Sequence, residues 1–402
     1  DEKLIEATIN NYKMQLMRSF EENDSRAILY VYSFISGADW ADEVARLDRM
    51  SKITKQDVVE WANKYLGPES YAIIYKREGK DPDEQKIAAP KITPIVTNRD
   101  SQSEFLSEIQ TSQVQPIEPV FVDYKKDMSQ FEAQPGIDVL YKKNETNDIF
   151  TLIYVFNTGT ENDPALNLAF NYLSYLGTDK MTAEEIASEM YDIACSFYMN
   201  AGANQSSIQI TGLSENMGKA MEIVEGLIAG AKPDEAILEN CKADMLKSRA
   251  DAKLNQSRCF GALQRYLFYG GDFIRRTTLT DPALQALTSE QLLAKIGGLM
   301  GKQHEVLYYG PQKETEIKSA LAEHHKVAAD LQPLEKKFST LLPTDANKVV
   351  LAQYDAKQLY YLQFSNRGEK FDVAADPEIT LYNEYFGGGM NTIVFQEMPR
   401  GA

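Results

Sequence analysis

The sequence predicts an α+β protein of tandem homologous α/β sandwich domains, with antiparallel-rich sheets covered by helices. Three observations predict it. The chain repeats itself at long range: shifted by 234 positions, residues 1–78 fall on residues 235–312 without a gap. Tyr32, Phe34 and Gly37 land on Tyr266, Phe268 and Gly271, and Ala72-Ile73-Ile74-Tyr75 lands on Val306-Leu307-Tyr308-Tyr309. A repeat this long is a duplicated domain, not a solenoid of short units. Short apolar runs also alternate with stretches of helical spacing, the pattern of helices layered on a sheet. Finally, a stretch rich in charge and proline separates the copies. The repeat implies that the chain opens inside a domain, because residues 116–234 have no counterpart before residue 1.

Residues 1–78 read as the C-terminal part of one domain. Thr54 and Asp57 cap a helix whose apolar positions Val58, Ala62, Tyr65 and Leu66 recur at helical spacing. Gly67-Pro68 stops it, and Tyr71–Tyr75 reads as a short buried strand. Residues 79–115 carry Pro82, Pro90, Pro94 and Asn98-Arg99-Asp100-Ser101 without a sustained apolar period, which predicts a linker between domains.

Residues 116–335 read as one complete domain. Ile137–Tyr141 is a strand, and Asn144–Asp148 turns the chain. Ile149–Phe156, apolar on both faces, is a central strand broken by Asn157-Thr158-Gly159. Leu166–Leu176 has helical spacing. Thr182-Ala183-Glu184-Glu185 is a capping box opening the next helix. Ser206–Gly212 alternates as a strand, and Ser214 is placed to cap a helix carrying Met217, Met221, Val224 and Leu227 on one stripe. The repeated half follows: long helices, a loop through Gly270-Gly271, a capped helix at Thr288 and a strand at Val306–Tyr309. Residues 346–402 read as the N-terminal part of a further domain. There Val349–Ala352 and Leu359–Phe364 imitate the first strand pair, and Leu381–Tyr385 falls on Leu168–Tyr172.

Composition narrows the function classes. Among 402 residues, 59 acidic against 42 basic side chains give a net charge of −17. An acidic surface repels phosphate backbones, which argues against nucleic acid as a partner. No apolar run reaches the length of a membrane span, so no membrane partner is expected. Cys195, Cys241 and Cys259 are widely spaced and read as small buried hydrophobes rather than a zinc or disulfide framework. The compartment is not indicated.

Three histidines exist, His304, His324 and His325. His304 precedes a strand and reads as structural. Glu323-His324-His325 resembles part of a zinc motif, but the inverted HxxEH form needs a histidine where Ala320 stands. Adjacent histidines on a helix also diverge by roughly 100°. No metal ligands and no catalytic residues are therefore assigned. Gly212-Leu213-Ser214 lacks the second glycine of a nucleophile elbow, and no phosphate-binding glycine motif occurs.

One local signal stands out: Glu384-Tyr385-Phe386-Gly387-Gly388-Gly389-Met390, followed by Phe395-Gln396-Glu397. Consecutive glycines in a helix-like stretch cost about 1 kcal/mol each against alanine. They suit either a tight helix-to-helix turn or a loop whose exposed amides meet a ligand backbone. With the duplicated layout, this run resembles the final domain of the insulinase-like zinc metallopeptidases (the M16 or pitrilysin group).

The resemblance implies four homologous α+β domains in two halves that close around a peptide. Zinc is then held by an HxxEH domain absent from this chain, on the same polypeptide or a partner chain, and none is expected here. The position of HxxEH is filled by Leu168-Ala169-Phe170-Asn171-Tyr172, and again by Leu381–Tyr385, where Glu384 keeps the glutamate. Gly387, Gly388, Gly389 and Arg400 are the implied substrate-binding residues. Pro399 stands where the family places an arginine, with Arg400 one step later. The function implied is the non-catalytic, substrate-clamping portion of a peptidase acting on peptides. The alternative is a catalytically inactive structural or peptide-binding subunit. A generic binding protein would leave the glycine run unexplained.

Overall fold

A computed structural model describes residues 2–79, 87–95, 101–334, 339–356, 358–366, 368 and 371–397. The chain divides into two compact units, residues 1–13 with 22–129, and residues 14–21 with 130–402. Helices α1 (Glu2–Ser19), α2 (Asn23–Ser36), α3 (Trp40–Val44), α4 (Arg46–Met50), α5 (Lys55–Tyr65) and α6 (Glu104–Thr111) come first. The sheet unit follows with β1 (Ser129–Gln134), β2 (Ile137–Lys143), β3 (Ile149–Phe156), α7 (Leu166–Leu173), α8 (Ala183–Asp192), β4 (Cys195–Ala201) and β5 (Ser206–Leu213). It continues with α9 (Met217–Gly230), α10 (Glu235–Lys253), α11 (Gln256–Thr277), α12 (Asp281–Gln285), α13 (Ser289–Met300), β6 (His304–Gly310), α14 (Glu314–His324), α15 (Asp376–Phe386) and α16 (Ile393–Glu397).

The six strands form one sheet in the order β1-β2-β6-β3-β5-β4. β6 runs parallel to β2 and antiparallel to β3, while β5 is antiparallel to both β3 and β4. β3 lies near the centre and is buried along most of its length, as its two-faced apolar pattern predicts. Phe150, Leu152, Tyr154 and Phe156 project from it into the main core. Stripes from α7, α9 and α13 cover that face, including Leu168, Val224 and Ile296. The α+β sandwich expected from the sequence is therefore the fold of this unit.

Local chemistry sets the helix starts. Thr182 accepts the Glu185 N–H and the Glu185 carboxylate takes the Thr182 N–H, the predicted reciprocal cap. Thr54 with Asp57 and Thr288 with Gln291 make the same box at corresponding positions of the repeat. Under the 234-residue shift α1, α2, α4 and α5 correspond to α10, α11, α12 and α13. The expected loop at Gly270-Gly271 is a break inside α11, where Gly270 takes φ 80°.

Four expectations are corrected. Tyr71–Tyr75 is not a strand, and Ile74 is 92% exposed. Its counterpart β6 is a strand because β2 and β3 supply ladder partners on both sides, whereas residues 2–128 contain no strand among the described residues. The same absence of a sheet leaves Val58 and Tyr65 exposed, while the matching Leu292 and Leu299 are buried. Val349–Ala352 and Leu359–Phe364 are likewise not strands. The second run lies beside α11 instead: Gln256 donates to the Gln358 carbonyl, and the Phe364 ring lies 4.5 Å from Phe268. Lastly, Ser214 makes no side-chain cap; it opens a 3-10 turn, and its amide donates to the Asp148 carbonyl at 2.9 Å.

The break after β3 depends on Gly159. The Thr160 and Glu161 amides donate to the Gly202 and Ala203 carbonyls at 2.8 and 2.9 Å, bringing two backbones together. A Cβ on Gly159 would meet those same carbonyl oxygens. Gly159→Ala is expected to destabilise the protein by about 1–3 kcal/mol, the usual cost of overpacking. Chemical denaturation compared with wild type measures it, and an unchanged midpoint would remove the close approach as a constraint.

Candidate functional site

Helix α7 carries Leu168–Tyr172, the stretch that the sequence resemblance aligns with the zinc motif. Here that stretch is core. Leu168, Ala169, Phe170 and Tyr172 are all buried, and only Asn171 faces outward. The Tyr172 hydroxyl accepts the Asp234 N–H at 2.7 Å and donates to Ser289 Oγ, 2.8 Å away. It thus ties α7 to the starts of α10 and α13. Leucine and phenylalanine offer no lone pair to a metal, and an amide stands where a general base would be. Among the described residues no group of three or more His, Cys, Asp or Glu is arranged to hold a metal ion. The residues present do not fit a zinc site.

What α7 does form is one wall of a cleft. Asn167, Phe170, Asn171 and Ser174 face residues 197–201 of β4 across a space of about 200 Å³. β4 is an edge of the sheet, with β5 on one side only. Every second residue of such a strand turns its N–H and C=O away from its neighbour, leaving them open to a further strand. Phe197 and Met199 pack inward on the core, and Tyr198 stands exposed. The cleft therefore has an apolar floor, amide side chains on its rim and an unpaired backbone along one side. No carboxylate, imidazole or thiol lines it. It can hold an extended chain, but the hydroxyls of Ser174 and Tyr198 have no imidazole, carboxylate or thiol in the cleft to activate them, and Ser174 donates to the Asn171 carbonyl.

The second cleft, about 380 Å³, is lined only by polar and charged residues of α10 and the start of α11, Asp244, Lys247 and Arg258 among them. Without an apolar floor it lacks the usual build of a ligand pocket. Cys195 on β4 offers no reactive thiolate either. Burial pushes its thiol up to about 12, with the Leu213 carbonyl a minor opposing influence.

Gly387, Gly388 and Gly389 lie in an exposed turn between α15 and α16. None of the three has a positive φ, so no strained backbone demands glycine. Gly388 sits against Glu384, where a Cβ would collide with the carboxylate. Arg400 lies outside the described residues. α15 packs against α16.

The histidines are placed as the sequence did not foresee. His304, at the start of β6, and His325, just past α14, are both buried, with their Nε2 atoms 2.8 Å apart. Glu225 of α9 meets His325 Nδ1 at 2.6 Å. Sequence spacing of 21 residues hid this contact; a buried histidine at a strand start and another at a helix end were the available signal. His324 diverges from its neighbour and packs toward Gly218, as adjacent helical positions require. Burial lowers His304 to about 4, although the Lys302 carbonyl and the Glu225 charge pull the other way.

No family model and no curated protein matches the chain. Solved structures do. A protease from Helicobacter pylori is 12% identical over 67% of this chain and 67% of its own, with a TM-score of 0.51. The periplasmic protease PqqL from Escherichia coli is 12% identical over 74% of this chain, with a TM-score of 0.45, and a peptidase M16 inactive domain from Pseudomonas fluorescens is 16% identical over 54%, with a TM-score of 0.44. The chain spans 30% of the PqqL structure and 53% of the inactive domain. At these identities the likeness is one of fold, carried here by the Helicobacter protease.

Two outcomes follow from this geometry. Tyr172→Phe is expected to cost about 1–3 kcal/mol, because it leaves the Asp234 amide without its acceptor; urea denaturation reads it, and a neutral result would remove the hydroxyl as the tie between α7 and its neighbours. His304 has a folded value below its unfolded value of about 6.5. The unfolded chain therefore takes up its proton first, and stability contributed by the neutral ring is present above about 6.5 and lost as pH falls toward about 4. Urea midpoints measured across that window should fall less steeply for His304→Gln than for wild type.

Proposed function

We propose that this chain is the non-catalytic, peptide-holding portion of an insulinase-like zinc metallopeptidase. In this reading a zinc-bearing half, on the same polypeptide or a partner chain, supplies metal-activated hydrolysis. The observation that carries the proposal is the contrast at α7: the helix that would hold zinc is sealed into the core, while the edge strand beside it stays open.

The open edge suggests how holding works. An extended peptide lying antiparallel or parallel to β4 gains main-chain hydrogen bonds, and its alternate side chains enter the cleft over Phe170, Phe197 and Met199. Main-chain pairing is indifferent to sequence, so the cleft would select apolar residues weakly and tolerate many peptides. The net charge of −17 favours basic substrates at longer range. Positioning an extended chain contributes a large share of a hydrolytic rate, so a holding surface without catalytic groups still affects turnover. The exposed turn at Gly387–Gly389 is proposed as a second contact with peptide backbone, and Arg400 as its neighbour.

The test uses fluorescent peptides. The chain alone is expected to bind but not cleave. N-methylating alternate peptide amides should weaken binding about tenfold, roughly 1.4 kcal/mol, because a methylated amide cannot join the ladder. Ser174→Trp, at an exposed position on the cleft wall, should weaken it comparably. Adding the chain to a zinc-bearing half should raise that half's activity. Cleavage by the chain alone would overturn the reading. Binding that ignores both N-methylation and Ser174→Trp would remove the cleft from it. Binding without any effect on a zinc half would favour an inactive peptide-binding subunit.

A further inference from the structure

The buried contact between His304 and His325 has a proton requirement that follows from donor and acceptor counting. His304 Nδ1 lies 2.8 Å from the Lys302 carbonyl. A carbonyl only accepts, so Nδ1 carries a hydrogen and the Nε2 of neutral His304 is a bare lone pair. That lone pair faces His325 Nε2 at 2.8 Å, so His325 must present an N–H there. On its other side His325 Nδ1 meets the Glu225 carboxyl at 2.6 Å. Either His325 carries both ring protons and Glu225 is a carboxylate, or the proton at that end sits on Glu225. Both arrangements contain one proton more than two neutral imidazoles and a carboxylate.

The surroundings keep that proton in place. The Tyr154 ring tilts over His325 at 4.2 Å, and Phe156 lies 4.7 Å from His304. The buried Tyr154 hydroxyl faces Glu225. The remaining charged groups on the packed elements are engaged elsewhere. On α9, Lys219 pairs with Glu222; on β6, Glu305 accepts from Asn157; after α14, Lys326 donates to the Ala322 carbonyl. On α14, Glu323 lies 4.0 Å from His324, which points toward Gly218.

We propose that Glu225, His325 and His304 form a one-proton latch that fastens the end of α14 to the start of β6 and releases it when the proton count changes. Removing the shared proton leaves lone pairs facing each other, either between the two Nε2 atoms at 2.8 Å or between His325 Nδ1 and the Glu225 carboxylate at 2.6 Å. Adding a second places two imidazolium N–H groups head to head. Either change breaks one contact of the Glu225–His325–His304 chain. The segment so held is the exit from the sheet: just beyond it, Gln332 accepts from the Gln303 amide and donates its own to the Gly301 carbonyl.

Two measurements on the whole chain test the latch. With 15N-labelled histidine at neutral pH, the two Nε2 nuclei should show scalar coupling across their hydrogen bond, with His304 protonated at Nδ1. The second is Glu225→Gln. The amide can donate to His325 Nδ1 while His325 donates from Nε2, so every group is satisfied with no extra proton. Wild type is expected to lose melting temperature as pH rises, and the variant should fold at neutral pH without that decline. Absent coupling in wild type, or an alkaline decline unchanged by Glu225→Gln, would overturn the proposal. If Glu225→Gln fails to fold, the coupling alone decides: its presence with His304 protonated at Nδ1 supports the latch, and its absence sinks it.

Discussion

The structure rests on the insertion of β6 between β2 and β3. A strand is stable only when its backbone groups find partners on neighbouring strands. β6 is contributed from more than a hundred residues downstream, and it joins β2 in parallel and β3 in antiparallel pairing. Once it is placed, the sheet has a continuous centre on which α7, α9 and α13 can bury their stripes. The same requirement explains the rest of the chain. Tyr71–Tyr75 shares the repeat, and it stays extended and exposed without a neighbouring strand. Residues 349–352 and 359–364 have the apolar character of strands, yet neither is one, and Phe364 packs on Phe268 of α11 instead.

The second consequence is what happens at α7. Its helix is positioned by packing under β3 and β4, and its sequence there is Leu-Ala-Phe-Asn-Tyr. Placing large apolar side chains inward gains core at the expense of any ligand site. Tyr172 then uses its hydroxyl to satisfy the Asp234 amide, a structural task rather than a chemical one. The result is a helix packed into the core on one side and facing an edge strand across the cleft on the other.

The central elements were legible because their patterns are strong. β3 is apolar on both faces, α8 opens on a reciprocal cap, and the repeat aligns Thr54 with Thr288. What escaped was set by context. β1 reads Ser-Gln-Phe-Glu-Ala-Gln, too polar to separate from a linker, and it is a strand because β2 lies beside it. β4 alternates through Cys195, Phe197, Met199 and Ala201, a period of two that the preceding helix obscured. With β4 unseen, the cleft on α7 was unseen too. The buried histidine pair required knowing that β6 and the end of α14 meet. Conversely, the apolar runs at 71–75, 349–352 and 359–364 overstated strand content, because hydrophobic pattern alone does not supply a ladder.

The edge and the latch lie on one sheet, and their chemistries divide the molecule's response to pH. The cleft is lined by amides, a serine, a tyrosine and apolar side chains, with no carboxylate or imidazole among them. The buried protons sit at β6 and α14 instead. β4 pairs only with β5, β5 with β3, and β3 with β6. The register of the open edge is thus set through a ladder that begins beside His304. In the latch proposed above, a change of proton count at the buried histidine pair would reach the open edge through this ladder.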